Sequence, residues 1–468
     1  MSYQEFLDSK RVKFTPTGIQ RPGKLNKHLF PFQRDIVRWA LKLGRAAIWA
    51  DCGLGKALMA LEWSRVITRK TKGKALILTP LAVAQQFVTE GEKFGIPVNI
   101  IREQDDVGDH QINVINYQRL HLIDPSEFVA VVADESSILK DHTAKTRNLL
   151  IEAFEATSFK LCCTATPSPN DHMELGNHAE FLGAMTRSEM LAMFFVHDGG
   201  ETQKWRLKGH AQEKFWLWIS SWAVSLRKPS DLGYEDAGFD LPALNMLEHI
   251  VKLDNTMARD AGFLFALEAR TLQEQRATRR ASMAKRVQVA ADMANASDEP
   301  WLIWCELNTE SSALTKAIPD AVEVKGADSL EEKEARMHGF TSGKHRVLVT
   351  KPKIAGWGMN WQHCANVAFV GISHSFEQWY QAIRRTYRFG QDKPVNCHMI
   401  ISSADGHVKR NLARKQREAE EMSSSMLANM SELNRANLKT TSRTQTSYQP
   451  RKKMILPSWL RSRPEEAA

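Results

Sequence analysis

The sequence contains no run approaching the ~18 uninterrupted apolar residues that a membrane-spanning helix needs, so a helical integral membrane protein is excluded. Its six cysteines show no Cys-x-x-Cys spacing. That argues against a disulfide scaffold and against a cysteine-ligated zinc site, and it sets a reduced, cytoplasmic compartment as the expectation. Residues Met1 to Lys10 lack the apolar core of a secretory leader. No segment repeats with a fixed period. What remains is a chain of 468 residues with ordinary globular composition, 43% hydrophobic and 25% charged. Such a chain is long enough for two to four domains.

Charge is the first positive signal. The chain carries 63 Lys and Arg against 54 Asp and Glu, a formal net charge of +9. From Lys409 to Ala468 there are 13 basic and 6 acidic residues, so most of the excess lies at the C-terminal end. A basic tail of this kind points to a polyanionic partner.

Short apolar, β-branched runs alternate with helical patterns. One group is Ala46–Ala50, Ala75–Thr79, Ile112–Asn116, Val129–Asp134 and Lys160–Thr164. A second is Trp301–Glu306, Val322–Lys325, Arg346–Thr350, Val367–Gly371 and Asn396–Ile401. Runs of this length read as parallel strands buried on both faces, and their alternation with helices predicts two doubly wound α/β lobes. The stretch between the groups is helical in pattern. The predicted organisation is an N-terminal extension at 1–28, a first lobe at 29–180 and a helical insertion at 181–296. A second lobe at 297–415 and a basic, partly disordered tail at 416–468 complete it.

The first strand pattern runs into Asp51-Cys52-Gly53-Leu54-Gly55-Lys56-Ala57, followed by a helical pattern. A strand, a glycine-rich loop and a helix N-terminus together cradle phosphates with backbone N–H groups. Gly53, Leu54, Gly55, Lys56 and Ala57 are therefore the expected nucleotide-binding residues, with Lys56 reaching the terminal phosphates. Such a loop ordinarily has Ser or Thr after the lysine, whose hydroxyl ligates Mg²⁺. Ala57 has none.

Another apolar run ends in Asp134-Glu135-Ser136-Ser137. Ligands bind at the carboxyl ends of strands in open α/β sheets. Asp134 is thus expected to hold Mg²⁺. Glu135, a further metal candidate, would orient or deprotonate the attacking water. Thr164 and Thr166, at the end of another strand, would sense the γ-phosphate and pass its state to the other lobe. The segment Gln381 to Gln391 places Arg385 and Arg388 three apart, which predicts one helix face carrying two arginine fingers. Gln381 belongs to the same coupling segment. Ala355 to Asn360 is a glycine-containing loop, in which Gly358 is suited to close backbone contact with a ligand.

Together these motifs resemble the superfamily 2 helicases and DNA translocases, in the family's order. Ala50–Lys56 resembles motif I, Leu78-Thr79-Pro80 motif Ia, Asp134–Ser137 the DEAD/DEAH box and Thr164–Thr166 motif III. Trp304–Glu306 lies near motif IV, Thr350–Asn360 resembles motif V, and Gln381–Gln391 motif VI. Phe30-Pro31-Phe32-Gln33 is similar to the adenine-contacting segment, with Gln33 as the reader. The Gly-Leu-Gly-Lys core and the Arg-Phe-Gly-Gln ending resemble the Swi/Snf branch, and the chain looks like a compact phage or prophage member. The resemblance, covering Leu29 to Arg410, implies two RecA-like lobes with ATP and Mg²⁺ in the cleft between them and duplex DNA lying across both. Arg384 departs from the pattern, because this branch often has an acid there.

The expected function is an ATP-driven motor on nucleic acid. The alternative is a nucleotide-gated DNA-binding module with weak or no hydrolysis, motivated by Ala57. A P-loop NTPase unrelated to nucleic acid is disfavoured by the basic excess. No nuclease or methyltransferase motif is present, so such chemistry would come from a protein partner. No membrane role is expected.

Overall fold

The computed structural model describes residues 15–80, 83–141, 143–168, 171–197, 205–236, 238–252, 272–355, 359–373 and 375–441. The expected loop residue Gly358 and the tail from residue 442 lie outside the described residues. All ten expected strands form, each ending within two residues of its predicted limits.

The first lobe is built on β1 (Arg45–Ala50), β2 (Lys74–Thr79), β3 (Asn99–Ile100), β4 (Ile112–Asn116), β5 (Phe128–Asp134) and β6 (Phe159–Cys163). The short strands β7 (Phe195–His197) and β8 (Trp205–Leu207) form a separate antiparallel pair. A further strand, β9 (Ala223–Leu226), completes the first sheet, whose order is β3-β4-β2-β5-β6-β1-β9. Every pairing in it is parallel.

The second sheet contains β10 (Leu244–Val251), β11 (Trp301–Cys305), β12 (Ala321–Glu323), β13 (Val347–Thr350), β14 (Asn366–Val370) and β15 (Val395–Ser402). Its order is β10-β15-β14-β11-β13-β12, again parallel throughout.

Alternate side chains of the central strands enter different cores, which is why those runs are continuously apolar. In β1, Ala46, Ile48 and Ala50 enter one cluster, while Ala47 and Trp49 enter another on the opposite face. In β11, Leu302 and Trp304 face one side, and Trp301, Ile303 and Cys305 the other. This is the expected doubly wound arrangement, once per lobe.

The stretch expected as a helical insertion gives a strand to each sheet, β9 to the first and β10 to the second. Its tryptophans Trp216, Trp218 and Trp222 are fully buried and pack with Trp49 in the first lobe, so they are core residues. Arg286, in the expected basic stretch, is also buried and pairs with buried Glu310 at 2.7 Å.

The last helix, Gly406–Thr441, runs well into the region expected to be a tail. It leaves β15 of the second lobe and packs on the first. Met426 and Met430 enter one first-lobe core and Leu438 the other. Arg435 Nε donates to the Asp231 carbonyl at 3.0 Å, and Asn437 Nδ2 to the Ser220 carbonyl at 2.8 Å. This stretch holds enough buried apolar side chains to stay folded, which the charge count concealed. Because Met430 is fully buried, Met430→Ala is expected to cost about 2–4 kcal/mol. The loss should appear in the first lobe's urea transition, although the helix starts from the second. Among the described residues, no helix is long and apolar enough to cross a membrane.

Candidate functional site

The carboxyl ends of β1, β5 and β6 bring Asp51, Asp134 and Thr164 to one edge of the first sheet. Between that edge and the second lobe lies a cavity of about 420 Å³. Its lining includes Gln33, Gly53, Gly55, Lys56, Ala57, Asp134 and Glu135 from the first lobe, and Gln362, Arg385, Arg388 and Phe389 from the second.

The phosphate loop needs its glycines. Gly53 has φ +90° and Gly55 φ +79°, both left-handed. A side chain at Gly53 would meet the backbone nitrogen of Phe389 at 2.7 Å, and one at Gly55 would run into Gln33 Nε2. The first contact shows how closely the second lobe approaches the loop. Leu54 turns its side chain into the core. It contributes backbone alone, its carbonyl accepting from Gln33 Nε2 at 2.9 Å. Lys56 opens the following helix, Lys56–Thr71, and its Nζ donates to the carbonyls of Ala50 at 2.8 Å and Asp51 at 3.3 Å.

Gln33 is buried, and both ends of its amide are engaged: Oε1 accepts from the Phe30 backbone N–H at 3.0 Å. Around it stands an aromatic wall that the sequence did not reveal. Phe239 lies 5.0 Å from Phe30 and 4.8 Å from Phe389, ring centre to ring centre. It has no motif around it, and only the folded chain brings it there.

Asp134 and Glu135 are both buried. Burial first, and then the neighbouring Glu135 charge, push the Asp134 carboxyl up to about 7. Thr79 Oγ1 donates to Asp134 Oδ2 at 3.4 Å. Glu135 has φ +51°, a left-handed conformation uncommon for a residue with a side chain. Its Oε2 accepts from Thr164 Oγ1 at 3.5 Å, and Thr164 Oγ1 in turn accepts from the Thr166 N–H at 3.1 Å. Thr164 therefore touches the acidic pair directly.

The elevated Asp134 value has a sign that can be tested. Its folded pKa exceeds the unfolded value of 3.8. Its contribution to stability is thus full below pH 4 and lost as pH rises through about 7. Without magnesium, the melting temperature of Asp134→Asn relative to the natural protein should rise by a few degrees between pH 4 and pH 8. A difference independent of pH would refute the burial argument.

Arg385 and Arg388 do not share a helix face as predicted. The helix Phe376–Ile383 ends before them, with Arg385 in a turn and Arg388 in a bend. The reason is local: Arg385 Nε donates to the Gln381 carbonyl at 2.9 Å, taking the acceptor that the next helical turn would use. Gln381 Oε1 also accepts from Arg385 Nη2 at 3.1 Å. Both arginines still converge, each donating to the Met359 carbonyl at 3.3 Å. Neither forms an ion pair with a carboxylate among the described residues. Burial, and then the charge of Arg385, push the Arg388 guanidinium down to about 10.

The residues that most directly join the lobes are ones for which sequence reasoning had no positive role. Arg384 Nη2 pairs with Asp51 Oδ2, and Tyr380 OH donates to Asp51 Oδ1 at 2.8 Å. Lys140 pairs with Glu377 across the same cleft. The spacing of Glu377, Tyr380 and Arg384 was the available signal, since it places all three on one helix face.

Comparison with known proteins agrees with this geometry. Residues 285–390 match the family described as "Helicase conserved C-terminal domain". The "DNA annealing helicase and endonuclease ZRANB3" of Homo sapiens is 23% identical over 427 residues, covering 82% of this chain and 39% of that protein. A "SWI/SNF-related matrix-associated actin-dependent regulator of chromatin subfamily A-like protein 1" of Xenopus tropicalis is 23% identical, covering 96% of this chain and 50% of that one. The p41 protein of Acyrthosiphon pisum secondary endosymbiont phage 1 is 23% identical, covering 80% of this chain and 92% of its own length. The chain spans about two fifths of the length of the ZRANB3 proteins it matches. With motifs in the family's order, paired parallel-sheet lobes and these relatives, the chain is similar to phage and Swi/Snf-type proteins of helicase superfamily 2.

Proposed function

We propose that this chain is an ATP-dependent motor on nucleic acid, hydrolysing ATP in the cleft between its lobes and acting on duplex DNA. One observation carries the reading. A single cavity gathers the phosphate-loop lysine and the acidic pair from one lobe and two arginines unpaired with carboxylate from the other. A site with cations on both walls and carboxylates at its floor suits a polyphosphate with a reacting water.

Lys56 would leave the Ala50 and Asp51 carbonyls for the β- and γ-phosphates. Glu135, fixed by its backbone and by Thr164, would orient the water and take its proton. Arg385 and Arg388 would bear on the γ-phosphate from the second lobe when the cleft closes. Gln33 and the wall of Phe30, Phe239 and Phe389 would meet the base.

The residues present fit a magnesium ion held chiefly by phosphate oxygens and water, with Asp134 as the protein's main contribution and Glu135 beside it. Two buried adjacent carboxyls, one inclined to keep its proton, are relieved by a divalent cation. When bound, the ion would neutralise charge on the phosphates.

Duplex DNA follows from the Swi/Snf-type relatives and the basic excess. The test is phosphate release by the purified chain with saturating ATP, with and without duplex DNA, single-stranded DNA and RNA. Stimulation by duplex DNA above the other two is expected. Turnover unmoved by any of them would sink the motor. A second reading, a nucleotide-gated DNA clamp without hydrolysis, is motivated by Ala57. It predicts ATP-dependent DNA affinity with no phosphate release. A protein partner supplying nuclease or modification chemistry is part of the proposal, and the cytoplasm is its proposed setting.

A further inference from the structure

We propose that Asp51, Tyr380 and Arg384 form the joint through which closure of the second lobe sets the phosphate loop, making Arg384 a positioning residue for ATP turnover. The inference rests on the nucleotide-cleft reading above and assigns it a specific coupling contact.

Asp51 is the first residue of the phosphate loop, and each of its polar groups is committed. Its backbone N–H donates to the Leu226 carbonyl at 3.0 Å, which anchors it to β9. Its carbonyl accepts from Lys56 Nζ at 3.3 Å. Oδ1 accepts from the Cys52 N–H at 2.7 Å and from Tyr380 OH at 2.8 Å. Oδ2 is held by Arg384 Nη2. The residue that begins the loop is thus gripped by the second lobe through its side chain and by the phosphate-loop lysine through its backbone. When Lys56 leaves for a phosphate, the grip on Asp51 changes from the nucleotide side. When the second lobe moves, it changes from the other.

The second-lobe half of the joint is pre-formed. Arg384 caps the helix Phe376–Ile383. Its guanidinium carbon lies 5.4 Å from the Tyr380 ring centre and 5.7 Å from that of Tyr387, and its Nε donates to Tyr380 OH at 3.3 Å. A planar guanidinium held between aromatic rings and bonded to a carboxylate has little freedom to seek another partner. The joint is largely dry, with 11% of the Arg384 side chain and 15% of the Asp51 side chain exposed. Burial and the adjacent Asp51 carboxylate hold the Tyr380 phenol well above its ordinary value, so it remains a donor.

Connectivity makes the joint more than an ion pair. Arg385, the next residue, faces the cavity, so a displacement of Arg384 is passed to it through one peptide unit. Glu377 pairs with Lys140 at the other end of the same helix, so the helix touches the first lobe along its length. A shift of this helix relative to the first lobe must break or carry Asp51. The departure at position 384 therefore supplies a contact between the lobes.

The experiment is a double-mutant cycle with Asp51→Asn, Arg384→Gln and the pair, read as kcat and KM for ATP with saturating duplex DNA. Each single change should lower kcat about tenfold and leave KM within about threefold. The double variant should be no worse than the poorer single one, because residues in contact are not additive. Arg384→Lys should recover part of kcat, and Tyr380→Phe should lose less than Arg384→Gln. A purely structural role would lower the melting temperature in step with kcat, and that result overturns the proposal, as do additive losses, which residues that are not coupled give.

A second measurement does not depend on turnover. Spin labels on cysteines introduced at Lys70 and Lys316, in a Cys52→Ser background, report the distance between lobes. Either single change and the double should broaden that distance distribution to the same degree, and added ATP should narrow it only in the natural pair. Distributions identical to the natural protein's would overturn the joint. If the natural protein hydrolyses no ATP, the motor reading fails while the distance cycle still decides this one.

Discussion

Replacing Arg388 with alanine is expected to lower DNA-stimulated ATP turnover by about a thousandfold, while nucleotide affinity changes by less than about tenfold. Arg385→Ala is expected to lose turnover as well, but by a smaller factor. The asymmetry comes from how the two guanidiniums are held. Arg385 is nearly fully buried and is tied to Gln381 by two hydrogen bonds, to its carbonyl and to its side-chain oxygen. Arg388 makes one bond, to the Met359 carbonyl, and its charge is disfavoured by burial and by Arg385. Neither guanidinium has a counter-charge, but Arg388 is held by fewer hydrogen bonds, so the phosphate should draw more from it. Arg388→Lys should not restore the rate, because an ammonium lacks the planar fork that spans two phosphate oxygens. Single-turnover kinetics at saturating ATP and DNA separate the cases. A raised KM with unchanged kcat would mean that these arginines only bind nucleotide.

The sequence made the strands visible because each is apolar along its whole length, and that continuity is what burial on both faces demands. Trp49 and Ile48 sit side by side in β1 yet point into different cores, and both had to be apolar. The four-residue β9 is fully buried but interrupted by Ser225 and too short to stand out, whereas β10 was hidden for the opposite reason. Seven of the eight residues of β10 on the second sheet's edge, from Leu244 to Ile250, leave their side chains partly or fully in solvent, so no buried run marks it. Lys56, Asp134 and Glu135 were legible because their roles require a fixed residue type beside a strand end. Phe239 and Asp51 were not, because their roles come from what lies opposite. The helix end at Ile383 was missed because a side chain, Arg385, takes the carbonyl that would have continued it. Spacing alone cannot register that competition.

Ala57→Thr is expected to lower the magnesium concentration needed for half-maximal turnover by about tenfold, measured against Lys56→Ala, which should lose at least about a hundredfold in rate. Ala57 lines the cavity in the first turn of the helix Lys56–Thr71. A hydroxyl there would face the phosphates beside Asp134, giving the metal a second fixed protein oxygen. The natural chain offers only carboxylates at that place, and Asp134 tends to keep its proton near neutral pH. Magnesium must then compete with a proton, so the natural enzyme should need more of the ion at pH 6 than at pH 8, and the threonine variant should narrow that gap. If the threonine raises kcat from nothing, the natural chain is a nucleotide-gated clamp whose motor cycle stops for want of one oxygen. If natural and variant proteins share the same magnesium dependence, phosphate and water hold the ion without help from position 57. The departure at Ala57 is then neutral, because Asp134 alone suffices to place the metal.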